Sequence, residues 1–315
     1  MRERLLALAA GVLVLAVGGA VESALRSADG TRRLAAWTSE LVLFCAVVAA
    51  TYLWLHTRSL RGALATLERT RIEADKEMRL ATAIQRHLLK SPTAHPSSVS
   101  WHARLRPGRP VGGDFYDVLR MPQGSVLILA ADISGKGILA AIALASVLAA
   151  FRQIARRTPD LPTLAEALSQ ALHDDHAGST HMTAILCLVD PAKGALRYVN
   201  AGHPAGRLAG PGGVVRLEPT GPPLGLLPHG RWEAHTLVAR AYTLGLLVTD
   251  GVMEALETEG DPHDIIDNLA RRLAAGTPEA ACSAVMQRVR RAGQSPLAPP
   301  DDRTVVAFVP GPRRR

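Results

Sequence analysis

Val126-Leu-Ile-Leu-Ala-Ala-Asp132-Ile-Ser-Gly-Lys-Gly137 is an apolar run that ends on an acid and turns through two glycines into an Ala/Leu-rich segment. The same pattern recurs downstream, where Leu244 to Val248 ends at Thr249-Asp250-Gly251, and where Asp301-Asp302 stands just before the run Thr304 to Val309. Upstream lies Gly112-Gly113-Asp114. Any one of these is equally well a turn or a solvated loop end. The ordered set says more, because carboxylates at strand ends converge on one edge of a sheet. Such a cluster repels itself unless cations neutralise it, and oxygen ligands without His or Cys favour magnesium or manganese over zinc.

The mixture of elements around these acids points to an α+β layered fold. After Trp101 the pattern is strand, turn and strand to Asp132, then a helix over Ile138–Arg157. Thr163 with Glu166 three residues on has capping-box spacing and predicts a second helix start after Pro162. Strands are expected at Thr183–Val189, Leu196–Asn200, Val214–Leu217 and Leu244–Thr249. A last helix follows, with Thr277 as N-cap and Pro278 as its first residue, before the closing strand.

The 315 residues, 48% hydrophobic, suffice for a packed core, which Leu, Val, Ala and Ile must fill because aromatics are scarce. Cys45, Cys187 and Cys282 are far apart and inside apolar segments, which suits buried thiols in a reducing compartment rather than disulfides or a zinc site. The net charge of +8, with Arg313-Arg314-Arg315 as a basic tail over 311–315, suits an anionic membrane face or a phosphorylated partner. A nucleic-acid partner is not expected, since no binding motif is present and few aromatics interleave with the basic residues.

Residues 1–56 read as a membrane anchor with two spans, about 5–21 and 36–55. The first run also fits a cleaved signal peptide or a buried soluble helix; the second run close behind it favours a hairpin. Tyr52, Trp54 and His56 with Arg58 and Arg61 resemble an interfacial belt on the cytoplasmic side, whereas Arg26, Arg32 and Arg33 between the spans pull the other way. The expectation is a multi-pass protein of the inner membrane with both termini in the cytoplasm, where the resemblance drawn below places the domain that follows. Residues 57–92 read as a linker helix, with Leu60, Leu64, Leu67, Ala74, Met78, Ala81 and Leu88 at heptad spacing and Arg71 and Gln85 interrupting the stripe. A parallel coiled coil that forms a homodimer and a solvated linker helix both fit. Ser91-Pro92 to Ser98 marks the boundary with a domain over 100–310.

Arranged as Val111-Gly-Gly-Asp-Phe-Tyr-Asp117, Ala131-Asp-Ile-Ser-Gly-Lys-Gly137, Asn200-Ala-Gly-His-Pro204, Thr249-Asp-Gly251 and Asp301-Asp-Arg-Thr304, the chain resembles the metal-dependent Ser/Thr protein phosphatases. Within them it is similar to the bacterial branch typified by sporulation stage II protein E and sigma-factor-regulating phosphatases. The resemblance covers Trp101 to Val309 and implies two stacked antiparallel β-sheets flanked by helices. It implies two divalent cations, Mn²⁺ or Mg²⁺, that activate a water for in-line attack on a phosphoester. It also implies that Asp132 bridges the metals, that Asp250 and Asp301 complete one, that Asp114 serves the second, and that the Ile133 carbonyl is a further ligand. Asp302 is the less favoured metal ligand of the adjacent pair, otherwise structural or in support of the ligands, and Asp117 a turn or strand-end residue. Arg109 and Lys136 are the nearest cations for a substrate phosphate. His203 invites a general-acid role, but a lone His in Asn-Ala-Gly-His-Pro reads better as part of a tight turn; His181 is weaker still. Ser134 lacks the elbow and base of a nucleophile. The implied substrate is a phosphorylated anti-anti-sigma factor of a partner-switching pathway. A catalytically silent scaffold and a hydrolase of small phosphoesters are the alternatives.

Overall fold

The computed structural model describes residues 19, 22, 30–88, 99–108, 110–135, 138–175, 180–227, 229–292 and 301–311. The chain divides into two compact units, Met1–Ala74 and Asp75–Arg315. Helix α1, Gly30–Leu88, contributes its first part to one and its last turns to the other.

In the first unit α1 presents an apolar surface to its surroundings: Trp37, Val42, Leu43, Phe44, Val47, Tyr52, Leu53 and Trp54 are all exposed. Cys45 is exposed with them, so the expectation of three buried thiols holds only for Cys187 and Cys282. Among the described residues one helix, Leu41–Ala83, is long and apolar enough to cross a membrane. Arg58 places its guanidinium 5.2 Å over the Trp54 ring, a cation–π contact. The first apolar run, 5–21, lies outside the described residues except for Gly19, and with it the first arm of the expected hairpin; so do 91–98 and 312–315 of the basic tail.

Among the described residues of the second unit are ten strands: β1 Trp101–Arg106, β2 Asp114–Arg120, β3 Val126–Ile133, β4 Met182–Asp190, β5 Ala195–Ala201, β6 Gly206–Gly210, β7 Gly213–Leu217, β8 His235–Val238, β9 Leu244–Val248 and β10 Arg303–Phe308. They form two antiparallel sheets, ordered β1-β10-β9-β6-β7 and β2-β3-β4-β5-β8. Period-two alternation divides their side chains. On the inner faces Ile128, Ala130, Ile185 and Cys187 of one sheet meet Leu208, Leu247, Val306 and Phe308 of the other. On the outer face of the second sheet Leu127 and Leu129 pack with helices α2, Ile138–Ala155, and α3, Leu161–Asp175. On the outer face of the first, Leu246, Val305 and Ala307 pack with α4, Asp250–Glu257, α5, Pro262–Leu273, and α6, Pro278–Ala292. This is the layered α+β arrangement that the sequence implies.

Several local expectations are sharpened or corrected. Thr277 does cap α6, accepting from the Ala280 N–H at 3.2 Å. Thr163, by contrast, lies inside α3: the cap is Asp160, whose carboxylate accepts from the Thr163 N–H and hydroxyl, because Leu161 and Pro162 already fit the first helical turn. Asp117 is neither turn nor strand end. It sits in mid-β2, fully buried, and accepts from Arg152 Nε of α2 at 2.7 Å. β6 and β8 go unforeseen because they are short, and α4 because it begins on Asp250, which reads as a turn; α5 goes unforeseen as well.

α5 is locked to the first sheet by charge. Buried Arg207 of β6 donates through Nε to Asp267 at 2.8 Å, and Arg216 of β7 donates to the other oxygen of the same carboxylate at 2.9 Å. Breaking a buried pair leaves an uncompensated guanidinium. Asp267→Ala is therefore expected to destabilise the protein by about 3–5 kcal/mol in urea denaturation. Asp264→Ala, which removes only an exposed partner of Arg216, should change stability by less than about 1 kcal/mol.

Candidate metal centre

The register of β2 and β3 places Asp114 directly opposite Asp132 at the sheet end, and Asp250 opens α4 immediately after β9. One carboxylate oxygen from each of Asp114, Asp132 and Asp250 lies within 4.8 Å of the others. Three acids this close are held up electrostatically. Asp132 is pushed to about 7, first by burial and then by the charges of Asp250, Asp301 and Asp302. Asp114 is held well above the usual carboxylate range by burial and by Asp132. Asp250 is raised by burial, with Asp301 adding to it. A folded protein that invests burial in mutually repelling carboxylates supplies the donor set of a hard divalent cation.

Asp114 is the most constrained of the three. Its Oδ2 accepts from the hydroxyls of Thr249 and Thr304, both at 2.7 Å, and Thr249 Oγ1 in turn accepts from the Thr304 N–H at 2.9 Å. Thr249 occupies the N-cap position of α4 yet makes no cap bond with its side chain, because its hydroxyl is directed to Asp114. The adjacent acids separate in role. Asp302 is buried and spends its carboxylate on backbone, accepting from Gly108 N at 2.8 Å and Asp114 N at 3.4 Å. Asp301 is exposed, accepts from the Asp302 N–H at 2.9 Å, and makes itself felt through its charge on Asp132 and Asp250.

Two glycines keep the site open. A Cβ on Gly113 would sit 2.4 Å from the Ile133 carbonyl oxygen and 2.5 Å from Asp132 Oδ1, so these two oxygens lie together on the face that the missing side chain leaves clear. The Ile133 carbonyl oxygen thus lies beside Asp132. A Cβ on Gly112 would fall 1.5 Å from Asp302 Oδ2. The same Gly112 is gripped by α1: Gln85 Nε2 donates to its carbonyl at 2.7 Å, and its N–H donates to Gln85 Oε1 at 3.3 Å. Thr82 adds a hydroxyl bond to the Pro110 carbonyl at 2.8 Å. Sequence reasoning misses Gln85, Thr249 and Thr304 as site residues. The available signal for Gln85 is its break in an otherwise apolar heptad stripe.

His203 is buried and its pKa is drawn down to about 3 by that burial, so it is neutral and no general acid. It closes a turn: its N–H donates to Asn200 Oδ1 at 2.8 Å while Asn200 Nδ2 donates to the His203 and Leu217 carbonyls. Ser134 and His181 pair through Ser134 N to the His181 carbonyl and His181 N to Ser134 Oγ, a strand-end clasp. Arg109 and Lys136 lie outside the described residues.

The sequence pattern of the Stage II sporulation protein E (SpoIIE) family matches residues 122–309, more than half of the chain. The chain is 28% identical over 190 residues to phosphoserine phosphatase RsbP of Bacillus subtilis, covering 58% of this chain and 47% of RsbP, so it spans under half of that relative's length. Among solved structures, its fold is similar to that of the SiaA-PP2C domain of Pseudomonas aeruginosa, with a TM-score of 0.65, 20% identity and coverage of 76% of this chain and 98% of that one. It is also similar to the RsbU and RsbW domains of Rv1364c from Mycobacterium tuberculosis, with a TM-score of 0.58, 23% identity and coverage of 69% and 61%.

Two outcomes follow from this geometry. Gly112→Ala should displace Asp302 and cost about 1–3 kcal/mol of stability, as a small-to-large change in a packed site does, with weakened Mn²⁺ binding in calorimetry. In EDTA, the folded state keeps on Asp132 a proton that the unfolded chain releases near 3.8, so stability should fall as pH rises from 3.8 to about 7. Mn²⁺ should accordingly raise the thermal midpoint more at about pH 8 than at about pH 5, because metal and proton compete for the same oxygens.

Proposed function

This chain belongs to the Stage II sporulation protein E (SpoIIE) family, and on that premise we propose that it is a metal-dependent protein serine/threonine phosphatase. The observation that carries the reading is the convergence of Asp114, Asp132 and Asp250 within 4.8 Å, with Asp132 pushed to about 7 in the absence of a cation. A degenerate scaffold would not retain this self-repelling set.

Asp132, the Ile133 carbonyl, Asp250 and Asp301 would hold one part of a binuclear Mn²⁺ or Mg²⁺ site, with Asp132 shared and Asp114 serving the other part. Bound there, the cations would supply Lewis-acid polarisation and a water acidic enough to act as nucleophile near neutral pH. The protein's own contribution is positioning. Thr249 and Thr304 hold Asp114 against repulsion from Asp132, and Asp302 fixes the 108–114 loop. Neither His203 nor Ser134 is offered as acid or nucleophile, the first being buried and neutral and the second engaged with His181.

The substrate proposed is phosphoserine or phosphothreonine on a regulatory partner protein, an anti-anti-sigma factor in the branch that the sequence resembles. The exposed apolar surface of α1 supports anchoring in the cell membrane, with the Asp75–Arg315 unit on the cytoplasmic side. The Leu60, Leu64 and Leu67 stripe is exposed in the single chain, which supports a second copy pairing along that helix.

The full chain in detergent should release phosphate from a phosphoserine-bearing anti-anti-sigma protein with Mn²⁺, and not with EDTA. Asp132→Asn should lower that release by at least about 10³-fold, the scale seen when an electrostatic stabiliser of the transition state is lost. Thr249→Val should lower it by about tenfold while raising the Mn²⁺ concentration needed. Activity that survives EDTA and Asp132→Asn would overturn the reading, and turnover confined to free phosphoamino acids would move it to small phosphoesters.

A further inference from the structure

On the outer face of the first sheet, four arginines gather, and no carboxylate is among the described residues that line the space with them. Arg104 and Arg106 of β1, Arg303 of β10 and Arg290 of α6 line a cavity of about 380 Å³ floored by Met286 and Val289. Arg106 and Arg303 are direct cross-strand partners, an arrangement that destabilises a sheet when both members carry the same charge. Arg303 is only 7% exposed, and its Nε is buried with no hydrogen-bond partner. A guanidinium left in this way is costly unless an anion meets it. None of the four makes an ion pair among the described residues. The sequence 293–300, which joins α6 to Asp301, contains no Asp or Glu.

Strand alternation separates this cavity from the acidic cluster. Thr304, bonded to Asp114, points to the inner face, whereas Arg303 shares the outer side with Val305 and Ala307, which pack among the helices. An anion in the cavity is therefore not the phosphoryl group held at the acids.

We propose that this cavity is a second, metal-independent anion site that takes a phosphoryl dianion. Several guanidinium groups lining one cavity match the charge and the multiple acceptor oxygens of such a group better than the single charge of a carboxylate. The dianion has two sources, inorganic phosphate or a phosphorylated side chain of a partner protein. Either neutralises the Arg106–Arg303 opposition and offers acceptors to the guanidinium groups that line the cavity.

The test is calorimetric titration of the full chain in detergent and EDTA, so that the metal centre takes no part. The probes are inorganic phosphate and a short alanine-flanked phosphoserine peptide, offered to the natural sequence, to Asp132→Asn, and to the paired charge reversal Arg106→Glu with Arg290→Glu. The expected result is binding to the first two proteins and at least tenfold weaker binding to the charge-reversed one. That variant should also melt no lower than the natural sequence in phosphate-free buffer, since it relieves like-charge repulsion. Binding of inorganic phosphate assigns the site to the free ion, and binding of the peptide alone assigns it to a phosphorylated partner. Absence of binding by both probes, or binding equal in the charge-reversed protein, overturns the site. The readout is binding by metal-free protein, so its failure and a failure of phosphatase activity are separate results.

Discussion

The Asp114 carboxylate is the point on which the two sheets meet. It comes from β2 of one sheet, yet one of its oxygens is tied by hydroxyls from Thr249 and Thr304, which belong to the end of β9 and to β10 of the other. Asp302 completes the crossing from the β10 side by accepting the Asp114 and Gly108 amides. A buried carboxylate of this kind persists only if hydrogen bonds repay its lost hydration. Here the repaying groups are the ones that fix the separation of the sheets at the edge where Asp132 and Asp250 end up.

The consequence is electrostatic. Asp132 and Asp250 are brought toward Asp114 by the fold rather than by mutual attraction, and their ionisation is held back by burial and by one another. The metal-free domain is therefore in tension at neutral pH, and the oxygen donors, the Ile133 carbonyl included, supply what a hard cation needs to relieve it. Gln85 extends the arrangement outward. By gripping both amide groups of Gly112, it connects the last turns of α1 to the loop that carries Gly113 and Asp114, so movement of that helix end is felt one residue from the acids.

Much of this was legible in the chain. The apolar runs ending on Asp132 and Asp250 mark strand ends, and the mixture of strands with Ala/Leu-rich helices gives a layered α+β fold, which the family resemblance sharpens to two stacked sheets. Local propensity failed where tertiary contacts redirected a side chain. Thr249 looks like part of a turn because its hydroxyl, unlike that of an ordinary cap, serves another strand. Asp117 looks like a strand end because nothing local announces Arg152, 35 residues away, as its partner. Thr163 loses the cap role to Asp160 because Pro162 already fits the first helical turn.

What the sequence by itself determined is the set of acids, their order and the strands that deliver them, because apolar periodicity and strand length are local properties of the chain. Which of those acids meet was decided by the tertiary structure. Asp301 and Asp302 are neighbours of the same chemistry, and only the approach of Gly108, Gly112 and Asp114 buries one as a backbone clamp and leaves the other exposed beside the cluster. The same holds for Arg303 and Arg106, which are remote in sequence and unremarkable in it until antiparallel register sets them face to face. Register and burial are properties of the assembled sheets, and they decide whether a charge is solvated, paired or left waiting for a counterion.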